Sequence, residues 1–141
     1  MLQIGGYINI VIALGHLIGL FWAEKMFEVT GIGKEMVELA QTHSSLPYLL
    51  TVFVAVFFFI FGLYGLSADG KLKELPYLKP IIFIIAAIYL FRGIGELIVD
   101  MQIQQANAFL ETLYSLIAIV IGLLFLIGGV KKWKLNTINE E

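Results

Sequence analysis

Four stretches of the chain, at about residues 4–22, 46–67, 80–99 and 108–130, are almost wholly apolar and each is long enough to cross a bilayer. A spanning helix needs about 20 largely apolar residues. In hydrocarbon every backbone N–H and C=O must be paired within the protein, which leaves helices and closed barrels as the spanning structures. Runs of this length and continuity are helical, because barrel strands are about half as long and alternate in polarity. The expected fold is therefore all-α: an integral membrane four-helix bundle occupying residues 1–141 as a single transmembrane domain. Composition agrees, with 60% hydrophobic residues, 14% charged residues and a mean hydropathy of +0.91, against about 25% charged in ordinary soluble domains.

The remaining segments are short. Residues 23–45, "AEKMFEVTGIGKEMVELAQTHSS", place Met26, Phe27, Met36, Val37, Leu39 and Ala40 among charges at roughly helical spacing, interrupted by "TGIG". This pattern predicts two short amphipathic helices lying on the membrane surface. "ADGKLKELPYLK" carries a turn signal at Asp69-Gly70 and a breaker at Pro76, and "MQIQQAN" joins the last two spans. Lys71, Lys73 and Lys79 in the second connection, and Lys131, Lys132 and Lys134 after the fourth span, predict cytoplasmic N- and C-termini, with residues 23–45 outside. The first apolar run lacks a basic leader and a small-residue cleavage site, so it is expected to be a retained span. The expected location is a cell membrane, multi-pass, of the bacterial cytoplasmic type.

Several chemistries have no support in the residues. There are no cysteines, which excludes thiolate metal sites and cysteine nucleophiles, and the net charge of −2 gives no nucleic-acid footprint. His16 and His43 match no metal or haem spacing, and Ser44 and Ser45 beside His43 look like turn or cap residues rather than part of a triad. No metal and no cofactor is expected.

The informative residues are the polar ones inside the spans. On the third, "YLFRGIGELIVD" spaces Tyr89, Arg92, Gly93, Glu96 and Asp100 at three- and four-residue intervals, which puts them on one helix face. A charge at mid-bilayer costs about 2.5–3.5 kcal/mol on insertion scales, so such groups normally face a bundle interior and find partners. Arg92 and Glu96 can pair four residues apart, but Arg92 has more donors than one carboxylate can satisfy. Candidates on other spans lie on their least apolar stripes: Asn9 and His16 on the first, Thr51 on the second, Glu111 and Ser115 on the fourth. From a rise of 1.5 Å per residue, His16, Arg92 and Ser115 lie roughly 9–12 Å from the outer ends of their spans. They form one layer. Gly15-x-x-x-Gly19 matches the small-residue pattern of close helix contacts.

The size and four-span plan resemble those of small bacterial membrane families, among them DoxX-like proteins and the membrane-associated glutathione-metabolism family. The second span, "THSSLPYLLTVFVAV", lacks the Arg and Asn that the latter resemblance would require, and the first span carries His16 where small multidrug transporters have a glutamate. No residue role is transferred. The binding residues expected from the stripes are Arg92, Glu96, His16, Ser115, Glu111, Thr51, Tyr89 and Asn9. With these the chain would bind or pass a small polar or anionic species, linked to proton exchange, in contact with the lipid bilayer and as a homo-oligomer. Two plainer accounts stand beside this: a membrane scaffold or accessory subunit in which Arg92–Glu96 is a structural pair, and an intramembrane enzyme using Glu96 or His16 as acid and base.

Overall fold

The computed structural model describes residues 1–102 and 108–138, with the side chains of all of these except 100–102, 108, 110–111 and 135–138. Within them the chain is all-helical. Helix α1 (Leu2–Gly19) continues through a 3₁₀ turn at Leu20–Trp22 into α2 (Ala23–Val29), and α3 (Gly33–Thr42) follows. Then come α4 (Leu46–Ala68), α5 (Leu78–Gln102) and α6 (Ala108–Ile138). Four helical stretches are long and apolar enough to cross a membrane: Leu2–Val29, Leu46–Ala68, Leu78–Val99 and Thr112–Lys134.

Local chemistry explains the boundaries. The break before α3 falls at Gly31, whose φ of +80° is open to glycine without a steric penalty. Pro47 and Pro80 sit in the first turns of α4 and α5, where a missing N–H leaves no helix bond unmade. His43 ends α3 in an extended conformation, and its Nδ1 accepts the backbone N–H of Ser45 at 3.2 Å. His43 with Ser44 and Ser45 is thus a turn that starts α4. The connection from α4 to α5 is tied down by Ser67, whose buried Oγ donates to the Lys73 carbonyl (2.9 Å) and accepts from the Leu75 N–H (3.0 Å).

The bundle is assembled from two tight pairs, α1 with α4 and α5 with α6, which meet each other more lightly along α1/α6 and α4/α5. This places α1 diagonally opposite α5. Within the first pair the backbones touch: a Cβ on Gly65 would lie 2.8 Å from the Gly6 Cα and 2.9 Å from the Leu2 carbonyl oxygen. In the second, a Cβ on Gly93 would lie 2.8 Å from the Ser115 carbonyl oxygen. Such approaches compensate for the lack of a hydrophobic drive between helices in lipid. Gly15 has nothing within 4 Å of its Cβ position, so the Gly15-x-x-x-Gly19 pattern is not the contact; Gly6, Gly62 and Gly65 are.

The core shared by the two pairs is one-sided. Leu2, Ala68, Ile82, Ile85, Ala86, Tyr89, Ala118, Ile121 and Phe125 form it, with Ile8, Ile12, Phe58 and Phe61 packed on it. All lie in the half of the bundle that holds Met1, the α4–α5 connection and Lys131, called here the lysine end, or at its upper limit near mid-span. At that end the Lys132 Nζ donates to the Ala68 carbonyl at 2.5 Å and so ties α6 to the last residue of α4. Toward the far end, the buried described residues include Ala13, Pro47, Thr51 and Ala55 in the α1/α4 pair, Ala23 and Phe27 in α2, and Gly93 and Ser115 in the α5/α6 pair.

Gly65→Ala should lower stability by about 1–3 kcal/mol, because the added methyl meets backbone that cannot move aside without separating α1 from α4. Gly15→Ala should leave stability unchanged or raise it by up to about 1 kcal/mol through helix propensity. Thermal unfolding in mild detergent followed by circular dichroism distinguishes the two outcomes.

Candidate functional site: a polar layer in the open half of the bundle

The floor of the site is a hydrogen bond across the diagonal. The Tyr89 hydroxyl donates to Asn9 Oδ1 at 2.5 Å, and Asn9 Nδ2 donates to the Gly5 carbonyl at 2.8 Å. Both residues are buried. Their partners on α4 are aromatic: the rings of Phe58 and Phe61 lie 6.4 and 6.2 Å from that of Tyr89. The four-helix core therefore closes at mid-span with a polar bond enclosed in aromatic carbon.

Above this floor the same helix faces continue. A helix turns about 100° per residue, so seven residues return within about 20° of the starting direction and rise about 10 Å. Asn9 plus seven is His16, and Tyr89 plus seven is Glu96. Because α1 and α5 run in the same direction on opposite corners, His16 and Glu96 stand two turns above the floor on the stripes that face the bundle centre. Arg92, three residues beyond Tyr89, is about 60° from that line. Phe91, by contrast, projects outward and is 86% exposed.

Arg92 Nε donates to Glu96 Oε1 at 2.9 Å, with side-chain exposures of 52% and 42%. A location on the core-facing stripe combined with this much exposure means that α1 and α4 do not cover the pair. The enclosure expected of such charges is not seen in the described residues. Among the described residues the Arg92 Nη groups have no hydrogen-bond or ion-pair partner. His16 is half-buried; its Nδ1 lies 2.8 Å from the Ile12 carbonyl, and since a carbonyl only accepts, Nδ1 is the donor. The imidazole lies 5.2 Å from the ring of Phe58, so His16 and Tyr89 touch the same phenylalanine.

Ser115 belongs to the α6 stripe that includes Ala118 and Phe125 and lies beside Gly93, one residue from Arg92. It is fully buried, and its Oγ has no hydrogen-bond partner. Thr51 does not join the layer: it is buried in the α1/α4 pair and its hydroxyl donates to the Pro47 carbonyl at 2.8 Å. The Glu111 and Asp100 side chains, and most of "MQIQQAN", lie outside the described residues. Among the described residues no group of three His, Asp or Glu side chains could hold a metal ion.

The eight candidates thus divide. Asn9 with Tyr89, and Arg92 with Glu96, are directly bonded; His16 is half-buried against Phe58, Ser115 is enclosed in the α5/α6 pair, Thr51 is spent on its own helix, and the Glu111 side chain lies outside the described residues. Sequence reading missed Ser67 and the Lys132–Ala68 contact. Ser67 looked like the end of an apolar run, and no short-range pattern pairs it with Lys73 and Leu75.

These helices and this polar layer define a small helical bundle of the multi-pass membrane type. No protein-family model, curated protein or solved structure matches the chain.

Tyr89→Phe and Asn9→Leu should each destabilise the bundle, and the double variant should cost less than their sum. The coupling should be about 0.6–1.7 kcal/mol, the span of measured interhelical hydrogen bonds in membranes. A double-mutant cycle on detergent unfolding measures it; a coupling of zero would remove the floor from the site.

Proposed function

We propose that this chain is a small membrane protein with an outward-facing intramembrane polar site that binds or passes a small polar or anionic species, with Glu96 and His16 exchanging protons. The observation that carries this is the state of Arg92: a guanidinium on the core-facing stripe, half exposed, with only Nε engaged. A cation in hydrocarbon with free donors is costly, and a bidentate anion satisfies those donors best. Glu96 competes for the same guanidinium, so its protonation would release Arg92. His16 Nε2 offers a second place for a proton in the same layer.

Orientation follows from the lysines. Lys71, Lys73, Lys79, Lys131, Lys132 and Lys134 cluster at one end, which supports cytoplasmic termini in a bacterial cytoplasmic membrane and puts the open half outside. Helix α3, with Lys34, Glu35 and Glu38 exposed and Met36 and Leu39 half-buried, would then lie as an amphipathic helix at the outer surface. A bundle of four helices is too narrow to enclose an open pore, so passage of a solute would use a homo-oligomer.

Inorganic phosphate and acetate are suitable probes, with calorimetry on the detergent-solubilised chain as the readout. Arg92→Ala should weaken binding by roughly 10- to 150-fold, the equivalent of one lost charge-assisted contact, while helicity is retained. Binding unchanged in Arg92→Ala would refute the assignment. Since the chain contains no cysteine, single substitutions test orientation directly. Glu38→Cys should react with a membrane-impermeant maleimide in intact cells, and Lys73→Cys only after permeabilisation.

A further inference from the structure

We infer that the anion taken by this site is the head group, carboxylate or phosphate, of a membrane amphiphile that enters sideways between the α1/α4 and α5/α6 pairs. The inference rests on the proposed function above and names its ligand class.

Three features lead to it. The first is where the exposure of Arg92 and Glu96 comes from. Both lie on the stripe that is buried lower down as Ile82, Ile85 and Tyr89, yet their side chains are 52% and 42% exposed. Among the described residues, the buried cluster shared by the two pairs ends at the level of Phe58 and Tyr89. Their exposure leaves Arg92 and Glu96 accessible from outside the bundle at this level, and in a bilayer the flank between the pairs would face acyl chains.

The second is the lining. The His16 ring stands against Phe58, and Phe58 and Phe61 stand against Tyr89 at the bottom. A hydrated inorganic ion would leave this carbon against water. An amphiphile places its chain there and its charge on Arg92, so that each part of the ligand meets a surface of its own polarity.

The third is the position of the charge. Arg92 lies about 10 Å along the helix from Val99. The bond from Nε to Glu96 holds the guanidinium toward the far end of α5 and leaves its Nη groups available. Planar guanidinium matches carboxylate and phosphate oxygens in a fork geometry that ammonium cannot copy. A lipid head group reaches this depth with its chain already in hydrocarbon.

The test uses the full chain reconstituted in phosphatidylcholine bilayers, with spin-labelled stearic acid, phosphatidic acid and phosphatidylcholine as tracers and electron paramagnetic resonance to measure the protein-restricted fraction. The anionic tracers should associate about fivefold more strongly than phosphatidylcholine, the selectivity of one basic group for one anionic lipid. Arg92→Gln should bring the ratio near one, and Arg92→Lys should keep part of it. Should Arg92→Gln fail to fold, Glu96→Gln gives an independent reading: loss of the competing carboxylate should raise the ratio. A wild-type ratio near one, a ratio unchanged in Arg92→Gln, or a ratio lowered in Glu96→Gln would each overturn the inference. Arg92-dependent binding of inorganic phosphate in detergent without selection of anionic lipid would overturn lateral entry while leaving the proposed function standing. Absence of both would overturn the two together.

Discussion

The hydrogen bond between Tyr89 and Asn9 is the contact on which the arrangement of this bundle depends. It is buried and it spans the diagonal, so it joins the two helix pairs where neither shares an edge. In hydrocarbon, apolar side chains gain little by leaving lipid for protein, and association rests on close packing and on polar groups that have no better partner. Gly6 with Gly65 and Gly93 with Ser115 supply the close packing inside each pair. Between the pairs, the core from Leu2 to Phe125 ends at the level of this bond. The closed half and the open half are therefore two consequences of one boundary.

That boundary explains why α5 can carry Arg92 and Glu96. Up to Tyr89 the centre-facing stripe is isoleucine, alanine and tyrosine, packed against the other pair; one turn later the stripe becomes charged, at the height where the other pair no longer packs against it. The change in residue type and the change in packing coincide. Enclosing Arg92 and Glu96 would desolvate both while one bond satisfies only part of the guanidinium.

Much of this was legible in the residues, and the limits have physical causes. The four spans were readable because hydrocarbon demands length and continuity, and "VFVAVFFFIFGLYGL" allows no alternative. Rise per residue gives His16, Arg92 and Ser115 similar expected depths along their spans. Partnership was not. Asn9 was recognisable as polar and Tyr89 as a stripe member, but their bond depends on which helices are diagonal, and no spacing within one helix encodes that. The same limit hid the glycine contacts: Gly15 and Gly19 have the expected spacing and Gly6 and Gly65 are on different helices, yet the latter make the approach. Thr51 fell on the right stripe and turned out to bond its own backbone, the ordinary use of a threonine inside a helix.

Charge balance gives the proposed site its coupling to protons. The Arg92–Glu96 pair is neutral as a unit, so it can reside in the bundle without a counter-ion. An anion that binds the Nη groups while Glu96 stays ionised makes the layer net negative in a medium of low polarity, where like charges interact far more strongly than in water. A proton taken up by Glu96 restores neutrality and also withdraws the competing acceptor from Nε. A proton on His16 Nε2 would have the same electrostatic effect from the opposite corner of the bundle. Under the proposed function, anion arrival and proton uptake would favour each other without any movement of the helices.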